Sequence, residues 1–92
     1  MTHRIDLRIG EQGTMVLFQG LLDRPALLEL AARCRVLSEG GTRVLVILSA
    51  GTRVEAGLVE ELVRLEGITL EAESPFLARW IQSCLNPKAP GQ

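Results

Sequence analysis

The stretch from Arg43 to Ser49, RVLVILS, contains five consecutive apolar residues, Val44 to Leu48. It follows Gly40-Gly41 and precedes a short loop, Ser49-Ala50-Gly51-Thr52. A strand that is apolar on both faces is typical of the centre of a parallel sheet with helices on both sides. In such sheets, ligands and partners meet the loops at the carboxyl ends of the strands. The stretch therefore predicts a buried central strand, and it makes the segment from Ser49 to Gly57 the first candidate for a functional surface.

Length and composition limit the classes of protein. Ninety-two residues, 47% of them hydrophobic, suffice for one domain that buries roughly 60 to 70% of its unfolded surface. A net charge of -1 argues against binding to nucleic acid. No apolar run approaches the ~20 residues that cross a bilayer, and the N-terminus MTHRIDLR does not resemble a signal peptide. We expect a cytoplasmic domain over residues 1–92 without membrane insertion, its ordered core spanning about 4–86 and a frayed Pro/Gly-containing tail 87–92.

The first half of the chain predicts a hairpin followed by a helix. Ile5, Leu7 and Ile9 alternate with polar residues, which indicates a half-buried strand, and Gly10-Glu11-Gln12-Gly13 turns the chain into a second strand over Thr14–Gln19. Asp23 is a suitable N-cap, with Pro25 in the first helical turn. The helix that follows has apolar residues at helical spacing and ends at Gly40-Gly41: Leu27, Leu30, Ala31, Cys34 and Leu37.

The second half predicts two more helices around one strand. A second helix ends at Gly67 and carries the apolar residues Leu58, Val59, Leu62, Val63 and Leu65. Ile68, Leu70 and Ala72 alternate as a strand with one wet face. Ser74-Pro75 then begins a third helix, whose apolar stripe is interpreted as core, with a partner groove as the alternative: Phe76, Leu77, Trp80, Ile81, Cys84 and Leu85. The elements follow the order β-β-α-β-α-β-α, an α/β domain with a mixed four-stranded sheet and three helices. The sequence leaves open whether the second helix lies on the same face of the sheet as the first.

Residues suited to catalysis are sparse. His3 is the single histidine, in an N-terminus expected to be mobile, and no glycine-rich phosphate loop of either standard kind is present. Cys34 and Cys84 lie fifty residues apart in helical surroundings, a spacing that favours two buried reduced thiols over a disulfide or a metal site. We therefore expect no enzymatic activity, no metal and no cofactor.

The order of the elements and the residues at their boundaries resemble the STAS domain. This is the fold of bacterial anti-sigma factor antagonists and of the cytoplasmic domain of sulfate transporters. The resemblance extends from about Ile5 to Leu85. It rests on four motifs. The first is a Gly-x-Leu-Asp step at Gly20–Asp23, and the second is a buried strand that follows Gly41-Thr42-Arg43 and ends in Leu48-Ser49. The third is Gly57-Leu58 at the start of a helix, and the fourth is Ser-Pro-Phe before the last helix. No one of these motifs is specific alone; their joint order carries the resemblance.

The sequence departs from the family pattern at the site that is phosphorylated in antagonist members. In antagonist members, Asp-Ser precedes the helix after the central strand, and a partner kinase phosphorylates the serine. Here the stretch is Val54-Glu55-Ala56-Gly57, one residue shorter, so that Glu55 falls on the aspartate or the serine position and no hydroxyl stands there. The aspartate that usually precedes Leu-Ser is Ile47, and the helix region between the third and fourth strands is shorter than usual.

Glu55 admits two interpretations. In the first turn of a helix, a carboxylate supplies a permanent negative charge where a phosphate would sit and interacts favourably with the helix dipole by about 0.3 to 1 kcal/mol. It would then imitate a fixed phosphorylated state. Alternatively it is an ordinary helix-stabilising carboxylate. Ser49 and Thr52 are the nearby hydroxyls, and on a loop they are typical of local turn hydrogen bonds.

The resemblance implies a non-enzymatic protein-interaction module in bacterial regulation, similar to an anti-sigma factor antagonist without the usual phosphorylatable serine. Its implied partner is a kinase-like anti-sigma factor. The sequence leaves open whether the chain also forms a homodimer. The expected contact surface comprises Ser49, Thr52, Arg53, Glu55, Gly57, Leu58 and Glu61. Two alternatives remain: a STAS-type accessory subunit of an ABC lipid transporter, and a small-molecule or nucleotide sensor that uses the strand-end loop as its pocket.

Overall fold

The structure, a computed structural model, describes residues 3–85. These residues form an α/β domain with a mixed sheet of five strands and three helices. In chain order the elements are β1 (His3–Gly10), β2 (Gly13–Leu22), α1 (Arg24–Glu39), β3 (Val44–Leu48), β4 (Arg53–Val54), α2 (Leu58–Val63), β5 (Ile68–Ala72) and α3 (Pro75–Leu85). The predicted tail 87–92 lies outside the described residues.

The α/β class, the mixed sheet and the three helices are confirmed, but the predicted count of four strands and the predicted order are not. The fifth strand, β4, pairs parallel with the last two residues of β2, Leu21 and Leu22. Space for it exists because β2 is ten residues long, whereas β3 pairs only with Thr14–Phe18 and leaves the end of β2 free. Two residues are too few to show any periodicity in a sequence.

The sheet has the order β1-β2-β3-β5, with β4 beside the end of β2. The predicted hairpin is confirmed: all eight residues of β1 pair antiparallel with β2, with Gly10 opposite Gly13 across a two-residue turn. β3 is parallel to β2, and β5 is parallel to β3. The carboxyl ends of β2, β3 and β5 therefore meet at one edge of the sheet, called here the carboxyl edge.

The helices cover one face of the sheet. Val44, Val46 and Leu48 are buried with the apolar faces of α1, α2 and α3 in a single core, whereas Leu45 and Ile47 are only half-buried and lie outside it. The expectation that both faces of β3 are covered is therefore wrong. The reason is topological: β2–α1–β3 and β3–α2–β5 step across the sheet in the same direction, so right-handed crossovers place both helices on the same face.

The helix boundaries follow local capping chemistry. The Asp23 carboxylate accepts a hydrogen bond from the Ala26 N–H over 3.0 Å, which confirms the predicted N-cap of α1. The Ser74 hydroxyl accepts one from the Leu77 N–H over 3.4 Å at the start of α3. α2 is shorter than predicted, because it ends at Val63 and does not include Leu65.

Candidate functional site

The segment predicted to meet a partner lies at the carboxyl edge. Ser49 directly follows β3, and Glu55 follows β4. The three helices also begin at this edge, since each one follows a strand that ends there. The loop from Ser49 to Gly57 is thus brought next to the first turns of the helices, as the sequence predicted for strand-end loops in parallel sheets.

Hydrogen bonds fix the first half of this loop to the end of β2. The Ser49 N–H and the Thr52 hydroxyl both donate to the Phe18 carbonyl, over 2.9 and 3.1 Å. The Ser49 and Thr52 hydroxyl oxygens lie 3.3 Å apart, and Thr52 is only 7% exposed. The prediction of local turn hydrogen bonds at these two residues is confirmed. A kinase could reach the Thr52 hydroxyl only if it left the Phe18 carbonyl and the loop opened.

The second half of the loop presents charged side chains. Arg53 and Glu55 are exposed, while the Glu55 N–H donates to the Leu22 carbonyl over 3.1 Å and continues the β2–β4 pairing. Gly57, the N-cap residue of α2, has a φ of 86°, a left-handed conformation that suits glycine. The backbone of Glu55 is thereby held in place while its side chain points away from the domain.

The placement of Glu55 in the first turn of a helix is wrong. α2 begins at Leu58, and the acidic residues in its first turn are Glu60 and Glu61. Glu55 precedes the N-cap because its N–H is engaged by β2 and because the left-handed Gly57 separates it from the helix. The helix-dipole argument for a phosphate mimic therefore does not apply to Glu55.

Glu61 is engaged within the domain. The Arg24 guanidinium donates to its two carboxylate oxygens over 2.5 and 2.8 Å. These hydrogen bonds lower the pKa of the Glu61 carboxyl. In turn, the hydrogen bond and charge of Glu61 raise the pKa of the Arg24 guanidinium, and the charge of Glu55 adds to that effect. Glu55 and Glu61 thus share one neighbouring cation, and Glu61 holds it.

The predicted contact residues consequently fall into three groups. Leu58 is 4% exposed and belongs to the core, and Thr52 is buried as well. These two side chains therefore stabilise the loop and do not form its exposed surface. Ser49 and Glu61 are half-buried, whereas Arg53, Glu55 and Gly57 are exposed. The outward-facing part of the predicted surface is therefore the segment 53–57.

Phe76 belongs to the same edge, and its interpretation as a core residue is wrong. It is 70% exposed in the first turn of α3, where its ring meets Trp80 edge-to-face with 5.8 Å between centroids. Leu77 and Ile81 bury the helix instead. The six-residue apolar stripe was wider than one packed helix face needs, and that excess width is the signal from which an exposed aromatic could have been found.

Two hydrogen bonds join the start of α3 to the loop. The Glu73 N–H donates to the Leu48 carbonyl over 2.9 Å, and the Glu73 carboxylate accepts from the Ala50 N–H over 3.1 Å. The segment that leads into Phe76 is therefore fixed beside the loop that carries Arg53 and Glu55. We call these three exposed side chains, Arg53, Glu55 and Phe76, the carboxyl-edge surface.

Among residues 3–85, no group of three or more His, Cys, Asp or Glu side chains is arranged to hold a metal ion. His3 lies in β1 rather than in a mobile N-terminus: its ring stacks on Phe18, and its Nε2 is 2.8 Å from the Glu29 carboxylate. An open concavity of about 860 Å³ lies at the opposite end of the sheet, beside the β1–β2 turn and Arg43.

No protein-family model matches the chain, and no curated protein matches it at a significant level. Within the described part of the chain, no helix is long and apolar enough to cross a membrane.

Proposed function

We propose that this chain is a STAS-type protein-interaction module, resembling an anti-sigma factor antagonist that lacks the usual phosphorylatable serine. The observation that carries the proposal is the carboxyl-edge surface, in which Arg53, Glu55 and Phe76 are exposed on a backbone that hydrogen bonds hold in place. The order of elements adds support: apart from the two-residue β4, it follows the order that the resemblance implies.

Binding at this surface would not depend on phosphorylation. Segment 54–57 contains no hydroxyl, and the Thr52 hydroxyl is buried against the Phe18 carbonyl. Glu55 carries a permanent charge that no kinase or phosphatase alters. The module would accordingly bind its partner, a kinase-like anti-sigma factor in the leading version of the proposal, without a phosphorylation switch in segment 54–57.

The carboxyl-edge surface also defines the chemistry of the partner. An exposed aromatic ring such as Phe76 is suited to an apolar pocket, and aromatic residues are enriched at the centres of interfaces. Glu55, on the loop that the Ala50–Glu73 hydrogen bond joins to the segment before Phe76, is suited to a partner cation, because the Arg24 guanidinium is already held by Glu61. A partner with a basic residue at the rim of an apolar pocket would satisfy both side chains.

The first experiment is capture of the partner from the native cell, followed by mass spectrometry and by titration calorimetry with the purified protein. Glu55→Ala should weaken binding more than tenfold, about 1.4 kcal/mol, with little change in melting temperature. Phe76→Ala should weaken it at least as much. The matched controls are Glu71→Ala, on the far face of β5, and Leu28→Ala, which removes an apolar side chain of α1 that is 60% exposed.

The results separate the versions of the proposal. If Glu55→Ala and Phe76→Ala leave affinity unchanged while Glu71→Ala abolishes binding, the contact surface is elsewhere and the STAS-based proposal fails. Capture of a transporter ATPase that binds through the same two residues would replace the anti-sigma factor with the ABC transporter role. Binding of a nucleotide without any protein partner would favour the sensor.

A further inference from the structure

The strand β1 forms one edge of the sheet and is unusually regular for an edge. All eight of its residues pair with β2 in a continuous register, without a bulge and without proline. Among residues 3–85, no strand pairs with its outer side. The other edge strand, β5, has only five residues. A long, flat, unprotected edge offers free backbone groups to another strand.

The helix-side face of β1 is apolar and uncovered toward its end. Leu7 and Ile9 lie opposite Val16 and Thr14, which are buried, yet Leu7 is 44% exposed and Ile9 is 86% exposed. Both side chains therefore remain open to solvent. The pattern leaves an apolar strip along the outer edge of the sheet.

Val36 extends this strip onto α1. The contact between His3 and Glu29, 2.8 Å, shows which side of α1 overhangs β1. Val36 follows Glu29 by seven residues, or two turns, and therefore lies on that same side. It is 70% exposed, and the two turns carry it about 10 Å along β1, to the level of Asp6 and Leu7.

The opposite face of β1 carries alternating charges. Arg4, Asp6 and Arg8 are exposed there, and the Arg4 and Asp6 side chains form an ion pair of 3.1 Å. Positive, negative and positive charges thus succeed one another at every second residue. Such a pattern can complement itself if a second copy of the strand runs antiparallel in the appropriate register.

We propose that two copies of this chain associate through antiparallel pairing of their β1 strands, with a two-fold axis at Leu7. In this register Asp6 of each copy lies opposite Arg8 of the other, and Ile5 lies opposite Ile9. Opposite charges and apolar pairs directly across an antiparallel ladder stabilise it. The strip of Leu7, Ile9 and Val36 meets its counterpart on the helix side, as an isologous interface requires.

Neighbouring registers are less favourable. A two-fold axis at Asp6 would place Arg4 opposite Arg8 and Asp6 opposite itself, so that like charges face each other throughout. An axis at Ile5 would pair Arg4 with Asp6, but it would use only His3–Leu7 of the described strand and would give Ile9 no partner among the described residues. The register centred on Leu7 is the one that satisfies both the charges and the most exposed apolar side chain.

A charge-swap experiment tests this register in the full chain by sedimentation velocity over a range of concentrations. The wild-type chain should dimerise, and Asp6→Arg or Arg8→Asp alone should weaken the dimer at least tenfold, because each creates a like-charge pair. The dimer dissociation constant of the double variant Asp6→Arg/Arg8→Asp should return to within about threefold of the wild-type value. Only the swap places opposite charges across the interface again, so this recovery measures the interaction between the two positions. Glu71→Arg, on the other edge strand, is the control, and thermal melts verify folding of every variant. A wild-type chain that stays monomeric up to about 1 mM, or a double variant no better than the singles, would overturn the proposal.

Disulfide trapping provides a second, independent measurement. In a Cys84→Ser background, Leu7→Cys should form a cross-linked dimer on mild oxidation, since Leu7 faces its own copy across the axis within disulfide reach. Ile9→Cys should not, because the two Ile9 positions are four residues, roughly 13 Å, apart along the strands. Ile9 is more exposed than Leu7, so random collisions would cross-link Ile9→Cys faster than Leu7→Cys. Faster cross-linking of Ile9→Cys would therefore refute the register.

Discussion

The guanidinium of Arg24 donates two parallel hydrogen bonds to the carboxylate of Glu61. Arg24 is the first residue of α1, and Glu61 lies in the first turn of α2. Bidentate pairs of this kind fix geometry as well as charge. This pair joins two helices that begin at the carboxyl edge, next to Glu55. It therefore engages a cation close to Glu55, the one carboxylate that we assign to partner binding.

The Arg24–Glu61 pair makes stability depend on acidity. The pKa of Glu61 is lowered in the folded chain by its hydrogen bonds to Arg24, so its contribution is fully present above the ordinary value of 4.5 and is lost as the pH falls through the lowered value. Glu61→Gln should therefore lower the melting temperature slightly at pH 7, and this effect should shrink as the pH falls through the lowered pKa of Glu61. Glu60→Gln, on the exposed side of the same helix, is the control. An equal effect of both variants at pH 7 would contradict a specific role for the pair.

The one-sided core predicts a sharp contrast between neighbouring residues of β3. Val46→Asp places an unpaired carboxylate at a fully buried position, which costs several kcal/mol against a total stability of about 5 to 15, and it should unfold the domain. Ile47→Asp lies on the open face and should leave a folded, less stable domain. Circular dichroism and thermal melts distinguish them. A folded Val46→Asp variant would contradict the central position of β3.

Gly67 should tolerate a side chain less well than Gly41. Both have left-handed backbones, with φ of 81° and 83°, so alanine costs about 1 to 2 kcal/mol at each. At Gly67 the new Cβ would also come within 2.4 Å of the Ser38 hydroxyl oxygen, whereas at Gly41 it would meet open space. In urea denaturation, Gly67→Ala should be the more destabilising variant, and adding Ser38→Ala should recover part of the difference. Equal losses at both glycines would mean that the contact with Ser38 does not matter.

The two thiols should react at different rates. Cys34 is 3% exposed, and burial raises its pKa, so little reactive thiolate forms; Cys84 is only half-buried. A thiol reagent should modify Cys84 first and Cys34 only after denaturation. The sequence predicted that both thiols are buried, which the structure confirms for Cys34 and contradicts for the half-buried Cys84. In Cys84→Ser, fast labelling of the native chain would show that Cys34 is accessible.

Local signals predicted much of this fold. The hairpin, the caps at Asp23 and Ser74 and the buried β3 each depend on neighbouring residues, through turn length, capping hydrogen bonds or apolar runs. The one-sided core did not follow from the pattern of β3, because Leu45 and Ile47 are as apolar as their neighbours. Coverage of the second face depends on the direction of successive crossovers, which no residue encodes alone.

The candidate site was predicted in position but not in detail. Strand-end topology correctly placed the loop that contains Ser49 and Glu55 at the carboxyl edge. Periodicity did not show that Glu55 precedes α2, because its N–H is drawn into the two-residue β4. The exposure of Phe76 also depended on how α3 rotates to bury Leu77 and Ile81, which tertiary packing decides.

The position of β2 between an antiparallel and a parallel neighbour has a consequence for folding kinetics. Its pairing with β1 closes a two-residue turn, whereas its pairing with β3 brings together Thr14 and Val44, thirty residues apart. Because closing the longer segment costs more chain entropy, we expect the hairpin to form first and to serve as the template on which β3 docks. Inserting glycines between Glu11 and Gln12 should then slow refolding in stopped-flow experiments far more than it speeds unfolding. An effect confined to the unfolding rate would mean that the parallel pairing forms first.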